Sequence, residues 1–177
     1  NTKRLYHELL SIGRILLIWI NENTPTLKAI NSSVSLPEMI ENSPMNLMRI
    51  IHYPPLNSDV TDGAIRAAAH CDINLITVLP AASQPGLQVQ TKEDEWLDVE
   101  CNPGWLVINT GDMLQECSDG HYPSTIHRVV NPIAKYAHLS RYSMPLFIHP
   151  RDEVILSKRY SAKKYLDERL RDIGLKT

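Results

Sequence analysis

Residues 68–80, Ala-Ala-His-Cys-Asp-Ile-Asn-Leu-Ile-Thr-Val-Leu-Pro, decide how this chain is read. A polar triplet, His70-x-Asp72, leads straight into an apolar run that stops at Pro80. Further short apolar runs lie on either side, at 48–53, 86–89, 96–99, 105–109, 125–130 and 139–148. Turn signals separate them: Pro54-Pro55, Pro85-Gly86, Asn102-Pro103-Gly104, Asp119-Gly120 and Asn131-Pro132. Many short strands at this spacing predict an antiparallel sandwich or barrel. With a metal-binding constellation inside it, a jelly roll is the favoured architecture.

The flanks are helical. Leu5, Leu9, Ile12, Leu16 and Ile20 recur at three- and four-residue spacing and predict a helix over 3–20 that packs on a sheet. Residues 21–43 are polar and contain prolines, which predicts a loop with one short helical turn. Tyr165, Leu166, Leu170 and Ile173 restore helical periodicity over 161–175, with Gly174 as the stop. The expected organisation is one mainly β domain with flanking helices. Residues 1–47 form an N-terminal helix and connecting loop, 48–150 a jelly-roll catalytic core, and 151–177 a helical tail.

Composition narrows the function. The chain has 177 residues and a formal net charge of −2, with no extended basic run, which argues against a nucleic-acid face. The best apolar stretch, 9–20, is short and carries Arg14, so neither a membrane span nor a signal peptide is expected. Cys71, Cys101 and Cys117 match no zinc or redox spacing and read as reduced thiols of a cytoplasmic protein. Oligomeric state is not legible. The chain starts at Asn1 rather than Met, as expected of a processed, trimmed or partial sequence.

His70, Asp72 and a later His are the candidate metal ligands. Two imidazoles and one carboxylate can occupy one face of an octahedral Fe(II), leaving three adjacent positions for a co-substrate and O2. His70 and Asp72 are expected on one strand face, with Cys71 turned away as a small buried hydrophobe. His127 is favoured over His121 as the third ligand. It lies in the strand-like run 124–130, whereas His121 sits in a turn and reads as a surface or supporting residue. Arg141 and Ser143 share a strand face with Pro145 and Phe147. A buried Arg must be paired. The pair is either a structural bridge to an acid or a clamp on a small-molecule carboxylate. Phe147 is a candidate substrate-pocket residue, with structural core as its plainer reading. Asn109 and Asp112 are explained by turn chemistry, and Trp96 and Trp105 by the core.

The segments MRIIHYPPL, AAHCDINLITVLP, PGLQVQ, EWLDVECNPGWLVINTGDMLQECSDGHYPSTIHRVVNP and SRYSMPLFIHP occur in the order and spacing of a known family. Over 49–150 the chain resembles the isopenicillin N synthase-like group of the iron/2-oxoglutarate-dependent dioxygenases. The resemblance implies a double-stranded β-helix, with Fe(II) on His70, Asp72 and His127. It also implies 2-oxoglutarate held through its distal carboxylate by Arg141 and Ser143, with Tyr53 adding a hydrogen bond. O2 is the oxidant and ascorbate a candidate reductant. The implied reaction is hydroxylation, desaturation or ring closure of a small molecule. Two departures stand out. Ile51 occupies a position where many relatives carry Asn, and relatives have a longer N-terminal section. Two alternatives remain open: an Fe(II) oxidase of the same fold that does not use 2-oxoglutarate, and a non-catalytic jelly-roll binding module. A zinc hydrolase is less favoured, because it gives the Arg-x-Ser pair no task.

Overall fold

The computed structural model describes residues 1–24, 34–56 and 64–176. Among these residues four α-helices flank ten short strands: α1 (Thr2–Asn23), α2 (Leu36–Met39), α3 (Asp112–Cys117) and α4 (Ala162–Asp172). The strands are β1 (Leu47–Met48), β2 (Ile51–Tyr53), β3 (Ala67–His70), β4 (Ile76–Pro80), β5 (Leu87–Gln90), β6 (Trp96–Asp98), β7 (Leu106–Thr110), β8 (His127–Val129), β9 (Arg141–Ser143) and β10 (Leu146–Ile148). Every ladder is antiparallel. One sheet has the order β1-β10-β4-β7, the facing sheet β3-β8-β5-β6, and the ribbon β2-β9 links them. These two four-stranded sheets, joined by non-sequential neighbours, make the expected jelly roll.

β4 explains the layering. All of Ile76, Thr77, Val78 and Leu79 are buried, as expected of a strand covered on both faces. Val78 packs toward α1, while Thr77 and Leu79 turn into the barrel cavity. α1 lays Leu9, Gly13 and Leu17 on this sheet. A methyl group at Gly13 would collide with the Ile148 side chain, so the glycine sets how closely the helix approaches. Leu36, Met39, Leu114, Val154, Leu156 and Ala162 extend the same core on the outer, helical side of the sheet. The barrel interior is left for a site.

Several expectations shift. The runs over 48–53 and 139–148 each divide into two strands. The breaks lie at Arg49-Ile50 and Met144-Pro145, where the chain passes from the large sheet to the ribbon and Arg49 N–H donates to Pro145 O at 3.0 Å. α1 runs on to Asn23, into the stretch read as a loop. The short helical turn is α2, closed by a capping box between Ser35 and Glu38; residues 25–33 of that stretch lie outside the described residues. At the tail, Leu175 N–H donates to Leu170 O and Gly174 N–H to Arg171 O, with Gly174 at φ 73°. This pattern is a Schellman stop, which favours Gly at that position. Trp105 is 57% exposed rather than core, and Trp96 is half-buried beneath the Arg128 guanidinium, 3.9 Å from its ring.

Candidate metal and 2-oxoglutarate site

Register brings the two histidines together. His70 and His127 are cross-strand partners on β3 and β8, after an irregularity in the ladder between Ala67 and His70. Their ring centroids are 4.4 Å apart. Nδ1 of His70 lies 2.7 Å from Ala68 O, and Nδ1 of His127 lies 2.9 Å from Thr125 O. A carbonyl only accepts, so each Nδ1 carries the proton and each Nε2 keeps its lone pair for a ligand.

Asp72 reaches the same point by a different route from the one expected. β3 ends at His70, so Asp72 is not on its strand face. The segment beyond the strand is pinned by the start of α3. Asp112 N–H donates to Asp72 O at 2.8 Å, Met113 N–H to Asn74 O at 3.1 Å, and Gly111 N–H to Leu75 O at 2.9 Å. A side chain at Gly111 would run into Asn74, so this clasp needs the glycine. The Asp72 carboxylate is 6% exposed. Its Oδ2 accepts from Thr77 Oγ1 at 2.5 Å and Asn109 Nδ2 at 2.8 Å. Thr77 Oγ1 accepts in turn from Asn74 Nδ2 at 2.9 Å. One carboxylate oxygen is thus fully engaged, and the other, Oδ1, is turned toward His127 Nε2, 3.7 Å away. The ligand atoms of His70, Asp72 and His127 lie within 4.8 Å of one another. Two imidazoles and one anchored carboxylate suit a divalent first-row metal with open positions.

Asn109 therefore orients Asp72, and turn chemistry alone does not account for it. Asn74 and Thr77 belong to the same network, and sequence reasoning missed all three. Thr77 interrupts an apolar run on the inward parity, which is the signal that could have found it. Asp112 serves as the first residue of α3. His121 is exposed and stands outside the cluster. Cys71 is only half-buried, with burial raising its thiol pKa.

The same cavity, about 210 Å3, is lined by Tyr53, Arg141, Ser143 and Phe147. Tyr53 and Arg141 are cross-strand partners on β2 and β9, as are Ile51 and Ser143. Arg141 is 2% exposed, and its guanidinium lies 5.3 Å from the Tyr53 ring centroid. Its Nε donates to Gln84 O at 3.0 Å, while its buried Nη1 has no partner. Among the described residues no carboxylate lies within ion-pair distance of it, so none of them supplies the structural bridge. Burial pulls its pKa below the ordinary arginine value; the Tyr53 hydroxyl opposes that, and the like charge of Arg66 adds to it. A buried guanidinium with an unsatisfied N–H, on a residue that lines the cavity, suits an incoming carboxylate. The Arg66 guanidinium also lies over the Tyr53 ring, 5.7 Å from its centroid, and donates to Pro54 O at 3.0 Å.

The chain is 42% identical over 97 residues to the 2-oxoglutarate-dependent dioxygenase citB of Monascus ruber, covering 53% of this chain and 30% of that protein. It spans about a third of the length of such curated relatives. A provisionally named oxygenase from Shewanella oneidensis superposes with a TM-score of 0.89 at 53% identity, over 99% of this chain and 65% of that one. Neurospora crassa T7H, solved in complex with alpha-KG, superposes with a TM-score of 0.65 at 33% identity, over 72% and 44%. The profile of the 2OG-Fe(II) oxygenase superfamily matches residues 44–150. With the profile spanning more than half the sequence and the jelly roll in place around it, the chain belongs to the 2OG-Fe(II) oxygenase superfamily.

Proposed function

We propose that the protein is an Fe(II)- and 2-oxoglutarate-dependent oxygenase of a small molecule, with the metal on His70, Asp72 and His127. In the same reading Arg141 and Ser143, with Tyr53, hold the far carboxylate of 2-oxoglutarate. The observation that carries it is the buried Arg141 guanidinium, without an acid partner among the described residues, on the same cavity as the two His Nε2 atoms. Bound there, ferrous iron with 2-oxoglutarate supplies O2 activation coupled to decarboxylation of the co-substrate to succinate and CO2.

The chain's own residues bind, orient and exclude water. The Nδ1–H bonds to Ala68 and Thr125 fix both ring planes. Thr77 and Asn109 hold Oδ2, so Asp72 offers one oxygen and offsets one unit of metal charge. Arg141 fixes the direction in which the co-substrate lies across the cavity, and apolar walls at Val89, Val107, Val129 and Phe147 keep bulk water away. Ile51, opposite Ser143, gives the cavity an apolar surface beside the clamp and supports a second reading. In that reading the clamp holds the substrate's own carboxylate and 2-oxoglutarate is not used.

Anaerobic titration of the Fe(II)-loaded protein with 2-oxoglutarate, followed by succinate release under O2, separates the two. The first reading expects stoichiometric binding, lost in Arg141→Ala and absent without metal in Asp72→Ala. Metal binding without any 2-oxoglutarate binding overturns it in favour of the second. Metal binding indifferent to Asp72→Ala overturns both in favour of a non-catalytic module. Among the described residues no helix is long and apolar enough to cross a membrane. Three free thiols support placement in a reducing compartment such as the cytoplasm.

A further inference from the structure

The cavity holds one cation that the proposed chemistry leaves over. Arg49 sits at the break between β1 and β2 and lines the same cavity as the histidines and Arg141. Its guanidinium carbon is 5.5 Å from the centroid of the Phe147 ring, which shares the inward face with Arg141 and Ser143. Arg49 is exposed, and among the described residues it forms no ion pair and no side-chain hydrogen bond. Among the described residues Asp72 is the only acid that lines the cavity, and the proposed function assigns it to the metal. The two positive charges of a ferrous ion and the one on Arg141 balance the Asp72 carboxylate and the two carboxylates of 2-oxoglutarate. Arg49 is then unbalanced beside a largely apolar cavity.

We infer that the primary substrate is a small carboxylic acid with an apolar body, and that Arg49, steadied on the Phe147 ring, binds its carboxylate. This rests on the proposed function and adds the substrate class. A single guanidinium, with the nearest other cavity cation buried and assigned to the co-substrate, matches a monoanion. Carboxylates pair with Arg through two parallel N–H bonds. The ring beneath the guanidinium limits its motion and lowers the cost of ordering it.

The test uses the whole chain, loaded anaerobically with Fe(II) and saturated with 2-oxoglutarate so that Arg141 is occupied. Phenylacetate and phenylacetamide, alike in shape and different in charge, are titrated in by calorimetry. Phenylacetate should bind about tenfold more tightly than the amide, the size of one charge-assisted contact. Arg49→Gln should erase that ratio without changing 2-oxoglutarate affinity, and Arg49→Lys should retain part of it. Raising the salt concentration should narrow it. Equal affinities for acid and amide, no binding of either, or a preference that survives in Arg49→Gln overturns the inference while 2-oxoglutarate still binds. Failure of the wild-type protein to bind 2-oxoglutarate in the first step overturns the proposed function and this inference with it.

Discussion

Thr77→Val should weaken metal binding by about as much as it destabilises the metal-free fold. Thr77 is 2% exposed, and valine has nearly its shape, so no cavity opens. What disappears is the 2.5 Å hydrogen bond to Asp72 Oδ2 and the acceptor for Asn74 Nδ2, which retains Ile76 O at 3.1 Å. A hydrogen bond to a charged group contributes about 1.5–3 kcal/mol to folding, so metal-free urea melts should lose up to that amount. Asp72 Oδ2 keeps Asn109 at 2.8 Å, but the carboxylate is then free to rotate about that single contact. Loss of a group that orients a metal ligand typically costs about 10- to 100-fold in affinity, or roughly 1.4–2.8 kcal/mol. Anaerobic Fe(II) titration against a competing chelator measures it. Thr77→Ser, which restores the hydroxyl, should recover most of the affinity, and Asn109→Ala should repeat the loss. Wild-type metal affinity in both Thr77→Val and Asn109→Ala would refute the idea that this network aims Oδ1 at the metal.

Arg141→Met should abolish 2-oxoglutarate binding yet leave metal-free stability unchanged or higher, because an unpaired buried charge is replaced by a side chain of similar length; a large loss in urea midpoint would contradict this. His149 should make folding pH-dependent. Burial holds its imidazole below the usual histidine range, against opposing effects of the Phe147 backbone and Asp72. The folded state thus takes up its proton less readily than the unfolded chain, whose value is about 6.5. Its contribution is complete above that pH and lost as pH falls through the depressed folded value. Metal-free urea midpoints at pH 7.5 and 5.5 should differ less in His149→Gln, and an equal difference would rule the histidine out. Cys117, fully buried with its thiol pushed up to about 12, should react with a thiol reagent at pH 8 only after unfolding, as peptide mapping would show. Gly111→Ala should destabilise by about 1–3 kcal/mol, because the added methyl group meets Asn74 where Asp72 is clasped; an unchanged melting temperature would show that the clasp yields.

Fold class and the identity of the candidate metal ligands were legible in the amino-acid sequence. Short apolar runs punctuated by Pro and Gly pairs specify strands and turns, because alternation and turn preference act within a few residues. Parity along 141–143 put Arg141 and Ser143 on one face of β9, since side-chain alternation is a local property of an extended backbone; Phe147 also lines the cavity, but from β10 in another sheet, across the break at Met144-Pro145. What lay beyond reach depended on register and on partners far along the chain. His70 faces His127 only because β3 pairs with β8 across an irregular ladder, and no local signal fixes that register. Asp72 is aimed by Asn109, 37 residues away, and by a backbone clasp at Gly111. Whether Arg141 is a bridge or a clamp was equally undecidable from the sequence, because it turns on which acids lie near it. The folded barrel brings none within reach among the described residues, and the buried Nη1 left without a partner is what supports the clamp in the proposed function.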